Sequence, residues 1–249
     1  MKPLISIITP SYNCAVYIAE TIESVLKQTY SNWEMIITDD CSTDNSRDVI
    51  KGFTLQDQRI KLVVQNENQG AAMARNKSIE LAQGEYIAFL DSDDLWSTDK
   101  LEKQLKFMQD KDVVFSYTSY EQIDEKGNKL NKKIKAPKKV GYNGVLLSCP
   151  IGNSTVMYNA SKTGKFFVPN IRKRNDDALW LKMLKVIPYA HGLDEVLMYY
   201  RIRSNSLSRN KMELVKYHWY LYREIEKLSI PRSLFHICYW GFLKVFKLK

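Results

Sequence analysis

Residues 84–94 read GEYIAFLDSDD, and this stretch decides which fold the chain adopts. Its centre, from Tyr86 to Leu90, is apolar without alternation, which is typical of a short strand buried on both faces. The run ends directly in Asp91-Ser92-Asp93, so acidic residues follow a core strand without a spacer. Strands of this kind belong to sheets that carry helices on both sides. The stretch therefore predicts an α/β fold with a polar site at this strand end.

Upstream of that strand, other apolar runs alternate with segments of helical periodicity. Strands are predicted at residues 4–8, 35–38 and 61–64, and helices at residues 18–26, 44–51 and 71–82. This alternation predicts a doubly wound, mostly parallel sheet with helices on both faces. In such a sheet, ligands bind beyond the carboxyl ends of the strands.

Polar residues stand at three of the predicted strand ends. The first strand runs into Thr9-Pro10, the second into Asp39-Asp40, and the fourth into Asp91-Ser92-Asp93. Because parallel strands end at the same edge, these groups are expected to converge on one site. A carboxylate at Asp40 can accept a hydrogen bond from the ring N–H of a uracil, while Ser42 to Asp44 can also begin a helix.

The Asp-x-Asp pair predicts a site for a divalent cation. Carboxylate oxygens are hard ligands that suit Mg²⁺ or Mn²⁺, and such an ion neutralises the diphosphate of a leaving nucleotide. The plainer alternative is a loop in which Asp94 caps the following helix. The position of the pair between a buried strand and Leu95-Trp96 favours the metal interpretation.

Two further positions carry chemistry suited to group transfer. Arg75 lies on the helix after Gly70, from which its guanidinium can reach a phosphate, although arginines on helices more often form surface salt bridges. Asn175-Asp176-Asp177 opens a helix predicted over residues 176–186. A carboxylate held there can take the proton of an attacking hydroxyl. Alternatively, both aspartates only favour the positive end of the helix.

The second half of the chain has a less regular pattern. Strands are predicted over residues 113–123, 153–158 and 196–203. Residues 126–139 contain seven lysines and no acidic residue, which predicts an exposed, mobile loop.

From residue 212 onward the composition changes again. Apolar residues recur at helical spacing from Leu214 to Leu228, and the stretch after Pro231 is rich in aromatic residues and ends in lysines. A helical segment of this kind, too short to span a bilayer, suits the membrane interface. The alternative is a helix that packs on its own domain or on a second subunit. The predicted organisation is one domain over residues 1–211 and an amphipathic helical tail over residues 212–249.

Composition narrows the class of protein. The 249 residues are 45% hydrophobic, which is ample for one large core, and the net charge of +9 favours anionic partners such as nucleic acid, anionic lipid or diphosphate groups. The four cysteines have no CxxC spacing and are interpreted as reduced thiols. No cleavage signal and no run of 18 apolar residues is found, so we expect a cytoplasmic protein attached peripherally to the inner face of the cell membrane.

Taken together, the motifs resemble those of the inverting family 2 glycosyltransferases, which have the GT-A fold. The resemblance runs from the N-terminus to about Ser208 and rests on SIITPSYN (6–13), EMIITDDCSTD (34–44), NQGAAMARN (68–76), GEYIAFLDSDD (84–94) and NDDALWLK (175–182). It implies that residues 1–110 bind the nucleotide-sugar and residues 111–211 bind the acceptor.

The resemblance assigns a uridine pocket and a metal site. Pro10, Tyr12 and Asp40 would line the uridine pocket, with Thr9 beside them. Asp93 would be the principal ligand of Mn²⁺ or Mg²⁺, helped by Asp91.

The same resemblance assigns the remaining contacts of the donor and the base. Arg75, Asp91 and Ser92 would lie near the ribose and phosphates. Asp176 would be the base, with Asn175 in place of the glutamate usual in the family. Residues 200–206 match a segment near the diphosphate, in which Arg201 and Arg203 would bind donor and Arg203 replaces a common histidine.

Similar family members build bacterial O-antigen and capsule repeat units. The resemblance therefore implies transfer of a hexose (Glc, Gal or an N-acetyl form) from a UDP-sugar to GlcNAc or GalNAc on a polyprenyl diphosphate, as in lipopolysaccharide synthesis. The basic, aromatic tail suits an acceptor held at the membrane.

Other classes of protein fit the sequence less well. A nucleotidyltransferase that makes nucleotide-sugars shares the sheet and the metal, but no Gly-rich basic loop follows the first strand. A nucleic-acid binder would carry basic residues in one stripe with interleaved aromatics, whereas here acidic groups stand at the strand ends. A dehydrogenase is disfavoured because no G-x-G-x-x-G follows a strand.

Overall fold

The four apolar runs of the N-terminal half form neighbouring parallel strands. The structure, a computed structural model, describes residues 2–203 and 211–246. The strands are β1 (Ile5–Ser11), β2 (Trp33–Asp39), β3 (Ile60–Val64) and β4 (Tyr86–Phe89). Their order in the sheet is β3-β2-β1-β4, and all three neighbouring pairs are parallel. Their carboxyl ends consequently share one edge, as predicted.

Helices cover both faces of this sheet. They are α1 (Ile18–Leu26), α2 (Ser46–Gln56), α3 (Ala71–Leu81) and α4 (Lys100–Asp110). Ile7 of β1 belongs to the core that includes α1 and α4, while the next residue, Ile8, belongs to the core that includes α3. Adjacent residues of one strand thus enter two cores, which explains why the run shows no polar alternation.

The second half extends the sheet with mixed strand directions. Its elements are β5 (Leu95–Trp96), β6 (Phe115–Ile123), β7 (Lys129–Ile134), β8 (Lys139–Val140), α5 (Tyr142–Ser148), β9 (Met157–Asn159), α6 (Ala160–Thr163), α7 (Asn175–Leu184) and β10 (Ala190–Arg201). The sheet continues from β4 in the order β9-β6-β10-β5. Strand β9 is antiparallel to both of its neighbours, whereas β6 and β10 are parallel.

Two predictions for this half were wrong. Residues 126–139 are not a loop, because β7 pairs with β6 in antiparallel register and β8 pairs with β10. Exposed lysines are usual on an edge strand, since their charges oppose pairing with another chain. Residues 153–155 form a 3₁₀ turn rather than the start of a strand.

The tail is helical, and one of its sides packs on the domain. It comprises α8 (Lys211–Tyr220), a π-helical turn (Leu221–Ile225) and α9 (Ile230–Val245). Leu221 and Tyr222 are buried, and the Tyr222 hydroxyl donates to the carbonyl of Leu146 in α5. Large apolar side chains stay exposed on α9 and just after it: Ile230, Leu234, Phe235, Phe242 and Phe246. The alternative interpretation, a tail that packs on its own domain, is therefore confirmed for one side of the tail.

No helix within residues 2–203 and 211–246 is both long and apolar enough to cross a membrane.

Candidate active site

The acidic motif forms the loop between β4 and β5, at the edge where the parallel strands end. Leu90 still donates its backbone N–H to Ile8 of β1, so the loop begins in register with the sheet. The side chains of Asp91 and Asp93 are 27% and 24% exposed. Both carboxylates are thus held by the core strand, yet they remain accessible from the predicted ligand edge.

The neighbouring Asp94 supports this loop from inside the protein. One carboxylate oxygen accepts from the Ser154 hydroxyl at 2.6 Å, and the other accepts from the backbone N–H of Arg201 at 3.0 Å. Burial, together with the charges of Asp93 and Asp91, raises the pKa of Asp94 well above its usual range. The capping alternative was wrong, because Asp94 precedes a strand and α4 begins only at Lys100.

Ser154 and Asn153 are two site residues that the sequence interpretation missed. The Ser154 hydroxyl also accepts from the backbone N–H of Asp91 at 3.0 Å, so one side chain holds both ends of the acidic loop. The Asn153 amide donates to Asp91 at 2.8 Å. The only available signal was the polar run Asn153-Ser154-Thr155, which was interpreted as a strand.

Asp40 shapes the start of α3. Its two oxygens accept from the backbone N–H groups of Gln69 and Gly70, each at 2.8 Å. Gly70 has a φ of +88°, a left-handed conformation that favours glycine. A carboxylate has about four acceptor sites, so these bonds leave capacity for a uracil N–H. The role of Asp40 in uridine binding remains a prediction.

The other residues assigned to the uridine side lie at the end of β1. Thr9 and Pro10 are buried in the strand, while Tyr12, just beyond it, is 49% exposed. The Thr9 hydroxyl has no hydrogen-bond partner in the described part of the chain. Ser92 is half-buried, and its side chain interacts with the Cys14 thiol below the loop. Tyr12 is thus accessible at the predicted ligand edge, and its role in the uridine pocket stays a prediction.

Arg75 joins the acidic loop to the helix of the predicted base. One guanidinium N–H donates to Asp91 at 2.5 Å, and another donates to the Asn175 side chain at 2.6 Å. The Arg75 side chain is only 8% exposed. The alternative of a surface salt bridge was therefore wrong. Asn175, which replaces the family's glutamate, has a definite partner here, and the two halves of the site are in direct contact.

Asp176 is a half-buried residue in the first turn of α7. Its neighbour Asp177 forms an ion pair with Arg174 at 2.9 Å, whereas Asp176 forms none with any residue that the structure describes. Burial and the charge of Asp177 raise the pKa of Asp176 to about 6, against the opposing effect of Arg174 and Arg75. A carboxyl group with such a pKa is well suited to general base catalysis near neutral pH.

The backbone just before Asp176 is strained. Arg174 has a φ of +62°, which is uncommon for a residue with a Cβ. Its guanidinium is held by Asp177 and by a hydrogen bond to His218 of the tail. These contacts fix the turn that starts α7, so the tail contributes to the position of the predicted base.

The two arginines at the end of β10 have different surroundings. The Arg201 side chain is fully buried and donates to the carbonyls of Asp93 and Glu125 and to the Glu20 carboxylate. It therefore supports the acidic loop from inside the protein, and its assignment as a donor-binding group stays a prediction. Arg203 is half-buried and pairs with Asp93 at 2.8 Å. Residues 204–206 of the matched segment lie outside the described residues.

The carboxylates present fit a divalent cation only in part. Asp91 and Asp93 offer hard oxygen ligands at one accessible edge. Among residues 2–203 and 211–246, no group of three or more His, Cys, Asp or Glu side chains could hold an ion by itself. An ion bound here would need further oxygens, which phosphates and water can supply.

Comparison with known proteins identifies relatives across nearly the whole chain. A family model described as glycosyl transferase family 2 matches residues 6–168. TuaG of Bacillus subtilis (strain 168), named as a glycosyltransferase of teichuronic acid biosynthesis, is 49% identical over 232 residues, which cover 93% of this chain and 92% of that protein. WfgD of Escherichia coli, named as a UDP-Glc:alpha-D-GlcNAc-diphosphoundecaprenol beta-1,3-glucosyltransferase, is 42% identical over 87% of this chain and 84% of its own length.

Solved structures confirm the predicted fold. S. aureus TarS 1–349 in complex with UDP-GlcNAc matches with a TM-score of 0.72 at 20% identity, covering 91% of this chain and 67% of that one. Mannosyltransferase PcManGT from Pyrobaculum calidifontis, in complex with GDP-Man and Mn²⁺, matches with a TM-score of 0.66 at 17% identity, covering 98% and 70%. At these identities the likeness concerns the GT-A fold alone.

Proposed function

The chain belongs to glycosyl transferase family 2, and from this membership we propose that it transfers a hexose with inversion from a UDP-sugar to a lipid-linked saccharide. The observation that carries the proposal is the direct connection through Arg75, which holds Asp91 on one side and Asn175, next to Asp176, on the other. A donor bound at the acidic loop and an acceptor at α7 would therefore meet at one place.

In the proposed reaction, Asp176 takes the proton of the acceptor hydroxyl as its oxygen attacks the anomeric carbon. The bond to the diphosphate breaks on the opposite face, so an α-linked donor gives a β-linked product. The pKa of about 6 leaves most of the Asp176 carboxyl ionised at neutral pH. It also keeps the group basic enough to accept a proton.

The leaving diphosphate would be stabilised at the acidic loop. Asp91 and Asp93 would hold Mn²⁺ or Mg²⁺, which supplies Lewis-acid stabilisation of the departing phosphates when bound. Arg203 already contacts Asp93, so its guanidinium is close enough to bind phosphate oxygens as well. Arg201 would keep this loop in place from behind.

UDP-glucose and a GlcNAc-diphosphate-lipid are the first substrates to test, because these appear in the name of WfgD. The experiment measures UDP release from a panel of UDP-sugars with that acceptor, in Mn²⁺ and in EDTA. We expect release with one donor and its loss in EDTA. Pyrophosphate release instead would indicate a nucleotidyltransferase, and equal rates in EDTA would refute the metal requirement.

Peripheral membrane attachment through the tail is the remaining part of the proposal. Phe235 and Phe242 of α9 are 57% and 50% exposed. Replacing both by serine should reduce sedimentation with anionic vesicles while leaving the fold intact, because neither side chain is buried. Unchanged sedimentation would exclude this surface. Truncation at residue 212 is a poorer test, since it would remove the buried Leu221 and Tyr222.

A further inference from the structure

A cleft lies between the segment before α7 and the first helix of the tail, α8. It has a volume of about 290 Å³. Its lining consists of Asn170, Ile171, Arg172, Lys216, Tyr217 and Tyr220. It is separate from the acidic loop, because neither Asp91 nor Asp93 lines it.

The charge of this cleft is positive. Arg172 and Lys216 are exposed and form no ion pair with any residue in the described ranges. The nearby Lys173 is already paired with Glu213 at 2.7 Å, and its ammonium also lies 5.8 Å from the Tyr217 ring. Lys173, Arg172 and Lys216 together hold the pKa of Glu213 below its usual range. Three cations thus face one carboxylate, which leaves positive charge available for an anion.

The cleft adjoins the segment that leads into α7, the helix of the proposed base. Arg172 lies four residues before Asp176, and its carbonyl accepts from the Asn175 side chain at 3.4 Å. That same Asn175 binds Arg75, which binds Asp91. Asn175 thus contacts both Arg75 and the backbone of Arg172, which lines the cleft, so the cleft adjoins the segment that leads into the helix of the proposed base.

We propose that this cleft binds the diphosphate of the acceptor, with Arg172 and Lys216 as its ligands. This inference rests on the proposed function. An acceptor whose hydroxyl reaches Asp176 carries its diphosphate at the other end of the same sugar ring, which places two phosphates about one ring width from the base. Arginine and lysine are the usual partners of phosphate oxygens. Tyr217 and Tyr220 form an amphipathic wall along which the start of the lipid can leave the site.

The experiment compares two acceptors with the same sugar. One is a short-chain prenyl-diphosphate-GlcNAc, and the other is an alkyl GlcNAc without phosphate. Each is assayed with the wild-type protein, with R172Q/K216Q and with the control K51Q, which removes an exposed lysine of α2. We expect kcat/KM for the diphosphate acceptor to fall about a hundredfold in R172Q/K216Q, because each of the two cations forms a charge-assisted hydrogen bond that contributes about tenfold. The phosphate-free acceptor and K51Q should change little.

Two binding measurements separate failure of this inference from failure of the proposed function. Calorimetric binding of prenyl-diphosphate-GlcNAc without donor should be lost in R172Q/K216Q, whereas UDP-glucose binding should be retained. Both binding results can be measured even if the wild-type protein does not turn over the chosen donor. Equal losses with both acceptors, or loss of UDP-glucose binding, would overturn the proposal.

The anion could also come from membrane lipid rather than from the acceptor. Binding to phosphatidylglycerol vesicles that contain no saccharide distinguishes these sources. If R172Q/K216Q lost vesicle binding but kept prenyl-diphosphate-GlcNAc binding, the cations would belong to a headgroup site and the proposal would be wrong. Retained vesicle binding with lost saccharide binding would support it.

Discussion

Arg75→Met tests the connection between the two halves of the site. Methionine keeps most of the length of the side chain but removes the charge and both hydrogen bonds, to Asp91 and to Asn175. Breaking a buried ion pair from one side costs about 3–5 kcal/mol. Asp91 is 27% exposed and keeps its bond from Asn153, so its carboxylate would be partly stabilised without Arg75. We therefore expect a loss of about 2–3 kcal/mol in the free energy of unfolding.

The measurement is urea unfolding of the wild-type protein, Arg75→Met and the control Lys77→Met. Lys77 is on the same helix, but its pair with Glu80 is exposed on both sides, so the control should lose less than about 0.5 kcal/mol. A loss of similar size in the two variants would refute the argument that Arg75 forms a buried structural connection. Arg75→Met should also reduce turnover, because Asn175 adjoins the proposed base.

Further predictions concern the base, the loop support and the tail. Asp176→Asn should lose turnover and keep UDP binding, and loss of both would indicate a structural role instead. In the wild-type protein, kcat should fall as the pH is lowered through about 6, because the protonated Asp176 carboxyl cannot accept a proton, and a flat profile between pH 5 and 7 would contradict this assignment. Ser154→Ala should cost about 1–3 kcal/mol in urea unfolding, since it removes one of the two donors to the buried Asp94 and the acceptor of the Asp91 backbone N–H, and an unchanged midpoint would show that these bonds are dispensable. His218→Phe keeps an aromatic ring but removes the acceptor for Arg174, so kcat should fall about tenfold with UDP binding unchanged, while unaltered kcat would show that the tail does not position the base.

The N-terminal half was predictable because its signals are local. Each strand shows as a short apolar run, and the acidic residues follow it directly in the sequence. The helix boundaries differed by only a few residues, as for α2, predicted at 44–51 and found at Ser46–Gln56. The parallel topology then followed from the alternation of elements, because a crossover helix returns the chain to the same sheet edge.

The second half was less predictable because its pattern depends on pairing partners. Residues 126–139 look like a loop by charge alone, and only pairing with β6 makes β7 a strand. Ser154 was missed for the same reason, because its role comes from hydrogen bonds to residues about sixty positions away in the sequence. A polar residue in a short turn carries no local sign of such a role.

By itself, the sequence determined the family, the α/β class and the edge of the sheet at which the acidic groups stand. Hydrophobic periodicity and residue type at strand ends are enough for these, since both are local properties of the chain. Only the tertiary structure decided which side chains meet: Arg75 with Asn175, Arg201 with the inner side of the acidic loop, and the tail with Arg174. These contacts join residues separated by tens to more than a hundred positions. The packing of the whole domain, rather than any local preference, selects them.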